Sequence, residues 1–130
     1  MIFKQVFDQK SSTYTYLIAS SEGREALIID PVLENVDSYI KLLSELDLKL
    51  VKVIDTHIHA DHVTAAAKLK DITQCSTIMG EHTPAETVEI KVKDDEYINL
   101  DNLKIRAMYT PGHTSDSYSF LMDNYLFSGD

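Results

Sequence analysis

The sequence is poor in cysteine, and Cys75 is the single one in 130 residues. One cysteine excludes an intrachain disulfide and a zinc site built from several cysteines, and it suits a reducing compartment. We expect Cys75 to be a small packing residue rather than a nucleophile, since no base lies near it in the sequence.

Long hydrophobic runs are missing as well. No stretch approaches the ~20 apolar residues that span a bilayer. The N-terminus shows neither an apolar export signal nor an arginine-rich presequence. We therefore expect a protein of the cytoplasm that does not cross a membrane.

Basic side chains are scarce, with 12 lysines and arginines against 21 aspartates and glutamates and a formal net charge of -9. This balance argues against nucleic acid or an anionic membrane as the main partner. A small-molecule substrate remains.

Repeats, low-complexity tracts and linkers are also absent, so nothing divides the chain into two units. With 44% hydrophobic and 25% charged residues, it has the composition of one globular domain. Residues 1–130 are thus predicted to form one domain, or part of one.

Apolar patterns along the chain predict mixed α/β structure. Val36, Tyr39 and Leu43 recur at helical spacing after Asn35, which we expect to cap a helix. The run 63–72 predicts a second helix, and the segment around 89–96 a solvated strand edge. Strands are predicted at Thr13–Ala19, 26–29, 48–54, 76–79, Leu103–Tyr109, Tyr118–Met122 and Tyr125–Phe127, the first two as a hairpin.

Polar, metal-binding residue types follow three of these strands, the last of which, Tyr125–Phe127, leads to Asp130. The strand 48–54 leads to His57, His59, Asp61 and His62 within six positions. The strand Leu103–Tyr109 leads to His113. Imidazole and carboxylate ligands held at strand ends, with open positions facing a cleft, are typical of catalytic metal sites. The motif therefore predicts a catalytic metal.

His57-Ile58-His59-Ala60-Asp61-His62 is similar to the HxHxDH signature of the metallo-β-lactamase superfamily. Two further segments agree with it: Thr110 to Thr114 resembles the next histidine segment of that superfamily, and Ser128-Gly129-Asp130 resembles its Gly-Asp ligand segment. The resemblance implies an αββα sandwich of which this chain is the N-terminal half. Asp30-Pro31 and the residues that follow His62 resemble persulfide dioxygenases and glyoxalase II.

The resemblance to persulfide dioxygenases implies one Fe(II) bound by His57, His113 and Asp130. His59, Asp61 and His62 would then orient ligands, water or substrate by hydrogen bonds. The implied reaction oxidises glutathione persulfide with O2 to sulfite and glutathione.

The resemblance to glyoxalase II implies instead a thioester hydrolase with two zinc ions, or mixed zinc and iron. His57, His59 and His113 would hold the first metal, Asp61 and His62 the second, and Asp130 would bridge them. His82 matches no ligand position, and we expect it at the surface. Lactonases, β-lactamases and RNA-processing nucleases of the superfamily share the motif, but charge and the absent export signal favour sulfur or thioester metabolism.

The superfamily fold is roughly twice as long as this chain. We expect a C-terminal half to be missing, because a single half would expose one sheet face and leave the cleft without its opposite wall. If 130 residues are the whole protein, a homo-oligomer must cover that face. An inactive metal-binding or assembly module is the alternative of another class.

Overall fold

The structure is a computed structural model that describes residues 1–58, 60–85, 88–112 and 114–128. Side chains are described over the same ranges except those of residues 60–64.

Within these ranges the first part of the chain forms a six-stranded sheet in which spatial order follows chain order. The first three strands pair antiparallel, and the pairs from the third strand to the sixth are parallel. A helix lies in each of the two connections on either side of the fourth strand. The elements are β1 (Ile2–Asp8), β2 (Thr13–Ala19), β3 (Glu25–Ile29), α1 (Val36–Glu45), β4 (Lys49–Ile54), α2 (Ala60–Thr73), β5 (Ser76–Gly80) and β6 (Ile90–Val92).

The rest of the chain forms an antiparallel four-stranded sheet with the spatial order β10, β9, β8, β7. Its elements are β7 (Tyr97–Leu100), β8 (Leu103–Tyr109), β9 (Tyr118–Met122) and β10 (Tyr125–Phe127). Asp123 adopts a positive φ of 52° in the turn between the last two strands, a conformation that aspartate tolerates better than most residues. The predicted hairpin here is confirmed.

Two apolar cores define three layers. Alternate residues of β4 point to opposite faces, so that Val53 packs toward the helices and Ile54 toward the second sheet. One core therefore lies between α1, α2 and the six-stranded sheet, and the other lies between the two sheets. The predicted α/β class is confirmed, and the layer order of helices, sheet and sheet is that of the N-terminal half of the predicted sandwich.

Strand and helix positions agree with the sequence prediction where the local pattern was clear. The helix predicted at 63–72 begins three residues earlier, at Ala60. Strands β1 and β7 were not predicted. Strand β1 lacks a regular alternation of buried and exposed residues. It pairs with β2 along its whole length, and Phe3 stacks on Tyr125 and Phe127 from the last strand.

The prediction that the Asn35 side chain caps α1 is wrong, although its position before the helix is correct. Asn35 does precede the helix, but its side chain makes no capping hydrogen bond. Its amide instead donates to Asp8 Oδ1 at 3.2 Å. The tertiary contact thus replaces the local one.

No helix in the described part of the chain is both long and apolar enough to cross a membrane.

Candidate metal centre

Strands β3, β4 and β5 end side by side at one edge of the six-stranded sheet. Ile54 is in register with Ile29 on one side and with Ile78 on the other. The residues after these parallel strands therefore meet at the same edge, where ligands bind in open α/β sheets. Asp30 follows β3, and the segment that carries His57 follows β4.

His57 is buried at this edge and is held by a short hydrogen-bonded chain. Asp30 accepts hydrogen bonds from the Thr56 backbone amide at 2.8 Å and from Thr56 Oγ1 at 2.9 Å. Thr56 Oγ1 lies 3.0 Å from His57 Nδ1. The three residues are each less than 5% exposed, so water does not compete for these bonds.

The hydrogen-bonded chain fixes the tautomer of His57. A threonine hydroxyl has one hydrogen to donate, and here it points to the Asp30 carboxylate. With Asp30 ionised, the hydrogen between Thr56 and His57 comes from the imidazole, which places it on Nδ1. Nε2 carries the lone pair that binds a metal ion, as is usual where a ligating histidine is oriented through its other nitrogen. His57 therefore fits the role of a metal ligand.

Asp30 itself is anchored through its backbone. It adopts a positive φ of 55°, its amide donates to the Ile54 carbonyl at 2.8 Å, and its carbonyl accepts from Thr15 Oγ1 at 2.7 Å. Such a conformation is uncommon for a residue other than glycine. This conformation of Asp30 turns the chain directly after β3, and the Asp30 carboxylate reaches Thr56.

Asp55 is a second buried carboxyl at this edge, with 3% of its surface exposed. Its Oδ1 atom has no hydrogen-bond partner among the described residues. Burial raises the pKa of the Asp55 carboxyl well above its usual value, and the negative charge of Asp30 raises it further. Asp55 lines a cavity of about 220 Å³ on the helix side of the sheet, together with Ala66, Ala67, Lys70, Asp71, Thr77 and Val88.

The connection between β8 and β9 approaches the same edge from the second sheet. Asp116 Oδ2 accepts a hydrogen bond from the Ile58 amide at 2.7 Å. The Tyr118 amide donates to the Thr56 carbonyl at 2.8 Å. Both sheets therefore contact the segment that carries His57.

Tyr118 also closes the space between the sheets. A Cβ atom placed on Gly80 would lie 2.0 Å from Tyr118 Cδ1, so only glycine fits at that position. Tyr109 packs beside Tyr118, and the exposed ring of His82 stacks on Tyr109 with 3.9 Å between the ring centroids. His82 thus lies at the surface, as predicted.

The structure describes only part of the predicted ligand set. His57 is described. The predictions for His59, His113 and Asp130 lie outside the described residues. Asp61 and His62 lie in the first turn of α2, but their side chains also lie outside the description. Within the described residues no group of three or more potential ligands comes together.

Sequence reasoning assigned no role to Thr56, Asp55 or Asp116. Thr56 and Asp55 lie directly before the histidine motif, and this position in the sequence could have marked them as candidates for the site. Asp116 gave no signal, because its contact with Ile58 joins residues 58 positions apart.

Comparison with known proteins defines the class to which this fold and site belong. The family model described as the metallo-beta-lactamase superfamily matches residues 9–130. The chain therefore belongs to the metallo-β-lactamase superfamily, as its motifs predicted.

Two curated relatives carry the names that the motifs suggested. The chain is 33% identical over 133 residues to "Persulfide dioxygenase ETHE1, mitochondrial" of Bos taurus, an alignment that covers 100% of this chain and 52% of that protein. It is 33% identical over 116 residues to the hydroxyacylglutathione hydrolase of Haemophilus ducreyi, covering 88% of this chain and 48% of that protein. The chain thus spans about half the length of these relatives.

A solved structure agrees with the first of these names. The crystal structure of ETHE1 from Myxococcus xanthus matches with a TM-score of 0.92 and 43% sequence identity, covering 98% of this chain and 56% of that chain. These similarities support an enzyme class that includes dioxygenases and hydrolases.

Proposed function

We propose that this chain is the metal-binding part of a persulfide dioxygenase. The enzyme oxidises glutathione persulfide with O2 and one water to sulfite and glutathione at a single Fe(II) site. The main support is the similarity to ETHE1 proteins over the whole chain, at 33% identity to the bovine protein and 43% to the structure from Myxococcus xanthus. The buried, tautomer-fixed imidazole of His57 is consistent with it.

The proposed iron ligands are His57, His113 and Asp130. Two imidazoles and a carboxylate form a facial set that leaves positions open for substrate and oxygen. When bound, iron supplies the redox chemistry by which O2 reacts with the persulfide sulfur.

The protein contributes the orientation of its ligands. Thr56 and Asp30 hold the His57 ring by the hydrogen bonds described above, so that Nε2 keeps its direction. His59, Asp61 and His62 are proposed to position substrate or water by hydrogen bonds.

The setting of the proposed reaction follows from the same similarities. We propose a glutathione-linked small molecule as substrate, since both curated relatives carry names of glutathione or persulfide enzymes. A cytoplasmic location stays a prediction, and the mammalian relatives are named mitochondrial. The homo-oligomer also stays a prediction.

A second candidate is a glyoxalase II-like thioester hydrolase with two metals. The identity of 33% to the Haemophilus ducreyi hydrolase favours it. In this candidate His57, His59 and His113 hold one zinc or iron ion, Asp61 and His62 hold another, and Asp130 bridges them. Two cations would lower the pKa of a bound water and polarise the thioester carbonyl.

Metal stoichiometry together with two activity assays separates these candidates. We expect X-ray fluorescence of the purified protein at its natural length to give one iron per chain, with oxygen uptake on addition of glutathione persulfide. Two metals, thioester hydrolysis and no oxygen uptake would transfer the proposal to the hydrolase. Absence of any bound metal would favour the inactive module.

A matched pair of histidine variants tests the ligand assignment. His57→Ala should lower the iron content at least tenfold and abolish oxygen uptake, because it removes the nitrogen ligand. His82→Ala removes an exposed imidazole and should keep its iron. Full iron content in His57→Ala would refute the assignment.

A further inference from the structure

The segment that carries His57 is held on both sides, by Asp116 of the connection between β8 and β9 and by Tyr118, the first residue of β9. The Thr56 carbonyl, just before His57, accepts from the Tyr118 amide at 2.8 Å. The Ile58 amide, just after His57, donates to Asp116 Oδ2 at 2.7 Å. The backbone on either side of the imidazole therefore takes its position from the second sheet.

Of these two bonds, the one to Asp116 depends on a side chain and can be removed by substitution. Asp116 is 4% exposed, so its bond to the Ile58 amide is shielded from water. A backbone amide that donates to a carboxylate makes a stronger bond than one that donates to a neutral oxygen. Asp116 is therefore a firm support for the backbone next to His57.

Asp116 belongs to a connection that is bonded within itself. The Thr110 amide donates to the Ser117 carbonyl at 3.0 Å, and the Gly112 amide donates to the Thr114 carbonyl at 3.1 Å. The Tyr109 hydroxyl donates to the Ser115 carbonyl at 2.8 Å. Because these bonds join its ends and its middle, the described residues of the connection, 110–112 and 114–117, can act as one unit against the segment 56–58.

The two segments in contact are those that contain two of the proposed iron ligands. His57 lies in the segment 56–58, and His113 lies within the span of the connection 110–117 in the sequence. Ligands from two different sheets can share one ion only if their loops keep a fixed separation, since metal sites tolerate errors of only a few tenths of an ångström.

We propose that Asp116 is a positioning residue of the metal site, which fixes the segment of His57 against the segment of His113. This proposal rests on the proposed function, because it assumes that both histidines bind one ion. Asp116 acts through the Ile58 amide and contacts neither metal nor substrate.

A graded pair of substitutions tests the role of Asp116 through cobalt binding. Co(II) reports both affinity and coordination geometry through its visible absorption spectrum. Asp116→Ala removes the acceptor and should weaken Co(II) binding about tenfold or more and change the spectrum. Asp116→Asn keeps a weaker, neutral acceptor and should give an intermediate affinity. Asp123→Asn removes a charge from the exposed turn between β9 and β10 and should match the wild type.

The outcomes separate failure of this proposal from failure of the proposed function. Wild-type affinity and spectrum in Asp116→Ala would overturn the positioning role while leaving the metal site intact. If Asp116→Ala does not fold, Asp116→Asn decides, and unchanged affinity and spectrum in that variant would overturn the role. Absence of Co(II) and Fe(II) binding in the wild type would overturn the proposed function and the positioning role with it.

Discussion

Thr56 shows how one hydroxyl can connect a carboxylate to a histidine. It donates to Asp30 and accepts from His57, and both of these bonds are buried. Thr56 lies after the end of β4, so hydrogen bonding rather than strand propensity accounts for a threonine at this position.

Thr56→Val keeps the shape of the side chain and removes the hydroxyl. We expect unfolding free energy to fall by about 1–3 kcal/mol, because two buried bonds are lost. Metal affinity should fall about tenfold or more, since the His57 ring loses a bond that orients it. Chemical denaturation and metal titration measure these effects. Thr56→Ser keeps the hydroxyl and should stay near the wild type, and equal losses in the two variants would refute this explanation.

Asp55 is predicted to make stability depend on pH. Its pKa in the folded protein is raised above that of the unfolded chain, first by burial and then by Asp30. The folded state therefore holds a proton that the unfolded chain releases above about pH 4, so stability falls as pH rises from there through the folded pKa.

Asp55→Asn removes this titration and keeps the shape of the side chain. We expect the variant to melt at a higher temperature than the wild type at pH 7, and the difference to shrink toward pH 4. Thermal unfolding at both pH values measures it, with Asp123→Asn as the control for loss of one negative charge. A difference that does not vary with pH would contradict the buried, protonated state of Asp55.

Strands β5 and β9 show how two elements far apart in sequence set the spacing between the sheets. The Tyr118 ring occupies the space in which any side chain on Gly80 would lie. The contact cannot be predicted from the sequence of either strand, because the residues of β5 and β9 are those of ordinary buried strands.

Gly80→Ala should therefore destabilise the fold by about 1–3 kcal/mol, the usual cost of forcing extra atoms into a packed interior. Gly112→Ala is the matched control, since a Cβ there would meet nothing within 4 Å. Denaturant unfolding of both variants measures the difference. Equal stability of the two variants would show that the sheets can separate at this point without cost.

The 130-residue chain carries a net charge of -9, which affects its behaviour toward other charged molecules. We expect no binding to a labelled DNA duplex in fluorescence anisotropy at about 50 mM salt, because nucleic-acid affinity comes mainly from neutralised phosphates. Binding that weakens steeply as salt increases would contradict this prediction.

The sequence by itself determined the α/β class, most strands, both helices and the superfamily. These features rest on local signals, namely the alternation in β8, the helical spacing of Val36, Tyr39 and Leu43, and the density of histidines after β4. Periodicity and motif spacing depend only on residues close together in the sequence, so they can be recognised without knowledge of the fold.

Only the tertiary structure decided which groups support His57. The hydrogen bonds from Thr56 to Asp30 and from Ile58 to Asp116 join residues that are far apart in sequence. The pKa of Asp55 is raised by burial and by Asp30, and both effects exist only in the folded chain. The wrong cap at Asn35 has the same origin, since Asp8 offers a distant partner. Burial and long-range contacts arise only when the sheets and helices pack, so they cannot be predicted from any short segment of the sequence.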